Sequence, residues 1–171
     1  DQSLKQDLIS VETILLENFD RLEELHRNKG AIRGMKTGYR DLDKMTAGLQ
    51  RSDLVILAAR PAMGKTGLAT NLAYNVATLN KQSVLMFSLE MSKEQLIDRM
   101  LADVSGVEAW KIRTGNLSDD DFSKLSEASG EIAEAPIFID DTAGMSVLEM
   151  RTKARRAAHN APLGLVIVDY L

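Results

Sequence analysis

The chain is 171 residues long and 44% hydrophobic, which predicts one globular unit with a substantial core. Its 21 basic and 25 acidic residues leave a net charge of -4, which excludes a global positive field for nucleic acid and confines any such contact to local patches. The absence of cysteine excludes a disulfide framework and thiolate metal sites; with no apolar run near the ~18 residues of a membrane span and no basic-then-apolar start, the expectation is a cytoplasmic protein without a membrane partner.

The first 29 residues form a segment apart. Leu4, Leu8, Val11, Leu15, Leu22 and Leu25 recur at steps of three and four, with Asn18 at the one polar seam position. This pattern predicts a helix with a long apolar stripe, stopped near Gly30. Such a stripe needs a partner surface, either its own domain or a neighbouring subunit, and the pattern leaves both open. Residues 30–171 then read as an α/β unit, short apolar runs alternating with amphipathic stretches, as in a parallel sheet flanked by helices. The expected strands are residues 54–59, 83–88, 136–139 and 165–169. Helix starts are marked by Ser92 with Gln95, Ser118 with Asp121 and Ser146 with Glu149, each pair suited to capping the free N–H groups of a first turn.

The first expected strand runs straight into Ala59, Arg60, Pro61, Ala62, Met63, Gly64, Lys65, Thr66 and Gly67, followed by a helical stretch. Strand, Gly-Lys-Thr and helix in that order make a P-loop, in which backbone N–H groups and a helix N-terminus converge on phosphate oxygens. Lys65 reaches the outer phosphates, Thr66 offers a hydroxyl to Mg²⁺, and Gly64 lets the backbone come close. Ala59 stands where the strict pattern has glycine, which has little consequence if that position avoids positive φ. Past the second strand lies Glu90. In parallel sheets ligands gather at the carboxyl ends of strands, so Glu90 is either a base for an attacking water or a plain surface residue ahead of a helix. The last run, residues 164–170, ends in Asp169, a Walker B carboxylate that would hold Mg²⁺ through a water.

Other residues are assigned no chemistry. Trp110 reads as the apolar anchor of a small helix, and Arg151, Lys153, Arg155 and Arg156 as a solvated helix face. His26 and His159 have no second ligand at metal spacing.

The stretches Thr37-Gly-Tyr-Arg-Asp-Leu-Asp43, Ala58-Ala-Arg-Pro-Ala-Met-Gly-Lys-Thr66, Phe87-Ser-Leu-Glu-Met-Ser92, Phe138-Ile-Asp-Asp-Thr142 and Val168-Asp-Tyr-Leu171 occur in this order and spacing in replicative DNA helicases of the DnaB type, and the chain resembles that family over nearly its whole length. The resemblance implies a RecA-like ATPase core that uses ATP and Mg²⁺, with Glu90 as catalytic base and Arg99 near the nucleotide. It also implies that residues 1–29 are a linker helix docking on the adjacent subunit of a hexameric ring. Single-stranded DNA, a primase and a helicase loader are the implied partners. In this family the strand between the P-loop and Walker B strands, the DNA-binding loops and the arginine finger all come later in sequence. The chain is therefore expected to be an incomplete core, from Walker A to Walker B, with unpaired edges on those two strands. Rival readings are a RecA-like recombinase or paralogue, and an ATP-binding assembly module without unwinding activity.

Overall fold

A computed structural model describes residues 9–170. The helix expected at the N-terminus is α1, Val11–Arg27, capped by the Ser10 side chain, which accepts from the Thr13 amide at 3.2 Å. Leu4 and Leu8 of its predicted stripe lie outside the described residues. No residue of α1 is buried, and Val11, Leu15, Phe19 and Leu22 all stand exposed. Among the described residues, the chain's own domain therefore does not cover the stripe.

The rest follows the α/β expectation. After the short α2, Arg40–Thr46, come α3, Lys65–Asn80; β1, Ser83–Ser88; α4, Lys93–Ser105; α5, Ala109–Thr114; α6, Asp119–Glu134; β2, Ile137–Asp140; α7, Val147–Asn160; and β3, Leu163–Asp169. The three strands form a parallel sheet in the order β2-β1-β3. β1 is central because its Val-Leu-Met-Phe run is apolar on both faces, and all six of its residues are buried. Its side chains alternate between two layers. Val84 and Met86 pack towards α3 and α4, against Ala69, Ala73, Val76, Ala77, Leu96 and Met100. Leu85 and Phe87 pack towards α7, against Met145 and Met150. The alanines on α3 let that helix lie close to the sheet, which carries its N-terminus to the carboxyl end of the strands.

The three Ser-led starts all form capping boxes, at Ser92 with Gln95, Ser118 with Asp121 and Ser146 with Glu149. Residues 54–59 do not form the expected strand, although the lack of pairing between them and β3 was expected. They enter no ladder among the described residues, and Leu54, Val55 and Ile56 are 87%, 66% and 81% exposed. Extended backbone becomes a strand only with a neighbour about 4.8 Å away. Here β3 pairs on one side with β1, while its Val166 and Val168 line a cavity together with residues 54–57, so open space separates the two segments.

Two smaller readings are also corrected. Trp110 is no anchor, since it is 45% exposed with its indole N–H on the Glu108 carboxylate, whereas Val107 is the buried residue of that turn. Lys153 is only partly solvated, unlike exposed Arg151, Arg155 and Arg156, because it reaches Asp140 at 2.6 Å. Burial disfavours the charged form of Asp140, but Lys153 and the Thr142 hydroxyl and amide outweigh it and hold its pKa below the usual carboxylate value.

Candidate nucleotide site

The loop before α3 turns on left-handed residues. Gly64 has φ +86° and Ala62, a residue with a Cβ, has φ +63°, whereas Ala59 is not in the positive-φ region. Alanine in place of the first P-loop glycine is thus free of backbone strain, as the sequence condition required. A Cβ on Gly64 would meet no protein atom within 4 Å, so within the protein itself it is the φ of this residue that favours glycine. Gly64 is also the N-cap of α3, which has no side-chain cap and no acid in its first turn, unlike the Ser-capped α4, α6 and α7. The amide end of this 16-residue helix is left facing the cavity, a favourable environment for an anion.

Three side chains converge at the root of the loop. The Thr66 hydroxyl donates to Asp169 Oδ2 at 2.7 Å, and Lys65 Nζ lies 3.4 Å from Asp169 Oδ1. Asp169 ends β3 and is 3% exposed, so its charge is compensated by these two neighbours rather than by water. A hydroxyl oxygen and a carboxylate oxygen held this close are hard oxygen donors of the kind that suit Mg²⁺, and the residues present therefore fit that ion.

Glu90 reaches the same cavity by a different route. β1 and β3 run in parallel register to their ends, with Ser88 opposite Asp169, and the Leu89 amide donates to the Asp169 carbonyl at 2.7 Å. Glu90 therefore leaves the sheet beside the Asp169 carboxylate. The turn is fixed by Ser88, 1% exposed, whose hydroxyl donates to the Met91 carbonyl at 2.7 Å, and by the capping box at Ser92. The cavity, about 1040 Å³, is lined by residues 54–67 with Glu90, Met91, Arg99, Val166, Val168 and Tyr170. Every expected phosphate-loop residue, from Ala59 through Gly67, lines it, as do Glu90 and Arg99, whereas Asp169 joins through Lys65 and Thr66.

The sequence did not single out Ser88 or Tyr170. A serine closing an otherwise apolar buried strand was the available signal for the first. The Tyr170 ring lies under Lys65, with Nζ 3.5 Å from its centroid, a contact that no spacing rule anticipates.

The Thr37 to Asp43 motif holds structure rather than ligand. Asp43, 3% exposed, accepts from the Thr37 amide and hydroxyl, both at 2.8 Å, and Asn75 on α3 donates to the Thr37 carbonyl at 2.9 Å. Asn80 brackets Lys36, accepting from its amide at 2.8 Å and donating to its carbonyl at 2.9 Å. These bonds fasten the segment before the P-loop to the helix after it.

Residues 34–171 match the family described as DnaB-like helicase C terminal domain. Among curated proteins the chain is 48% identical over 162 residues to the replicative DNA helicase DnaC of Bacillus subtilis (strain 168), an alignment covering 95% of this chain and 36% of that protein. Among solved structures, an ATPase domain superposes with a TM-score of 0.85 at 36% identity, covering 96% of this chain and 58% of its own. A DnaB-like replicative helicase, studied for its interactions with primase, superposes with a TM-score of 0.83 at 35% identity, covering 97% and 39%. The chain spans about a third of the length of curated relatives from Bacillus and Geobacillus.

Proposed function

This chain belongs to the DnaB-like helicase C-terminal domain family, and from that premise we propose that it is the nucleotide-binding part of a replicative DNA helicase motor that hydrolyses Mg-ATP to translocate on single-stranded DNA and unwind the duplex. The observation that carries this reading is the meeting of Lys65, Thr66 and Asp169 at the root of the P-loop, with Glu90 on the wall of the same cavity.

Each residue then has a role set by its chemistry. Residues 59–67 cradle the phosphates through backbone N–H groups, which need no charge to be effective once oriented. Lys65 gives its ammonium to the outer phosphates. Thr66 and Asp169 would hold Mg²⁺, and the bound ion would neutralise charge that develops on the phosphates. Glu90, carried on a turn fixed by Ser88, orients the attacking water and accepts its proton. Arg99 lines the same cavity and adds positive charge near the nucleotide.

The exposed stripe of α1 supports a second part of the reading, that residues 1–29 form a linker helix that docks on the adjacent subunit of a hexameric ring. A cytoplasmic setting, single-stranded DNA, a primase and a helicase loader complete the proposal, the primase by analogy with the DnaB-like relative studied with one. The test is calorimetric titration of Mg-ATP into the intact protein that carries this chain. Lys65→Ala should weaken binding and abolish hydrolysis. Wild-type affinity and turnover in that variant would remove the P-loop assignment.

A further inference from the structure

Among the described residues the Lys65 ammonium meets both a carboxylate and an aromatic ring, and the roles above use only the carboxylate. Its ammonium, on a side chain 25% exposed, lies 3.4 Å from Asp169 Oδ1 and 3.5 Å from the centroid of the Tyr170 ring. Tyr170 directly follows the Walker B carboxylate and is itself 50% exposed, so packing among the described residues does not account for its position. An ammonium has three N–H donors. An ammonium drawn towards the carboxylate and the negative face of the ring is less available to phosphate oxygens, and the ring contact strengthens as the ammonium is withdrawn from water.

We propose that Tyr170 is a positioning residue for Lys65: its ring and the Asp169 carboxylate form a seat for the ammonium that phosphate must empty, and Tyr170 thereby sets nucleotide affinity. This rests on the reading of the cavity as a nucleotide site. The thermodynamic consequence is direct, because stabilisation that exists only before the ligand binds is subtracted from its affinity. Asp169 cannot be altered to show this, since it also serves the metal. Tyr170 offers only its ring face, and replacing it leaves the oxygen donors intact.

The experiment is calorimetric titration of Mg-ADP into the intact protein and into Tyr170→Leu, Tyr170→Met and Tyr170→Phe. Both non-aromatic variants should bind about 2- to 30-fold tighter, the range that corresponds to a cation–π contact between partly exposed and desolvated. Tyr170→Phe keeps the ring face and should bind like wild type, a rescue that a role for the hydroxyl or for general packing does not predict. Unchanged or weaker binding in both Leu and Met variants would overturn the seat, because loss of the ring would then have released nothing. Failure of the wild-type protein to bind Mg-ADP would instead bring down the nucleotide reading itself, and the seat with it.

Discussion

Replacing Asp43 with alanine tests how the P-loop is mounted. The Asp43 carboxylate accepts two hydrogen bonds at 2.8 Å from Thr37, which is 0% exposed, so the Thr37 amide and hydroxyl would both lose their partner out of reach of water. A hydrogen bond to a charged group contributes about 1.5–3 kcal/mol, and an orphaned buried donor costs about 1–3 kcal/mol. Some relaxation is expected, since the Thr37 hydroxyl already accepts from the Tyr39 amide at 3.2 Å and can turn. The net loss should be about 2–4 kcal/mol. The readout is hydrogen–deuterium exchange over residues 36–46 of the intact protein, which does not require two-state unfolding of the whole. Exchange there should accelerate by roughly 30- to 1000-fold. Thr37→Val, which removes only the hydroxyl bond, should give a smaller effect, and the double variant should fall well short of the sum. Exchange in Asp43→Ala within a factor of two of wild type would refute the reasoning.

Two further outcomes follow from particular residues. The Ser118 amide and hydroxyl, with Lys111, hold the Asp121 carboxyl down at about 2 against an ordinary 3.8. A depressed carboxyl stabilises the fold above its ordinary pKa, and that contribution fades as pH falls from about 4 towards 2, so Asp121→Asn should flatten the acid limb of a pH series of thermal melts. Gly64→Ala should cost about 1–2 kcal/mol through its φ of +86° alone, whereas Gly38→Ala, at φ +84°, should cost more because its Cβ also meets the Asn75 side chain; comparing the two melting temperatures checks the order.

What the sequence could announce was what is local. Ser92 with Gln95, Ser118 with Asp121 and Ser146 with Glu149 are three residues apart, and each forms the capping box its spacing predicts. The unbroken apolar run of β1 marks a strand covered on both faces, because alternation disappears when both sides are buried. Contacts between distant segments were harder to read. Residues 54–59 have the composition of a strand, yet pairing depends on a neighbour that composition does not supply. The pairing of Lys153 with Asp140 and the seating of Lys65 over Tyr170 both depend on how strands and helices meet in space. Within the candidate site, the meeting of Lys65, Thr66 and Asp169 was legible, because a phosphate-and-metal pattern restricts which side chains stand at those positions. Ser88 and Tyr170 were not, because they act by shaping a turn and a charge, which many residue types can do.

The central claim, that this cavity hydrolyses ATP with Glu90 as its base, is tested most directly by Glu90→Gln in the intact protein, with Mg-ATP affinity and steady-state turnover measured on the same preparation. The amide keeps the shape of the carboxylate but cannot take a proton, so the account predicts near wild-type affinity with turnover reduced by a factor of about 10² or more. Wild-type turnover, or affinity and turnover falling together, would contradict it and return Glu90 to the surface of the fold.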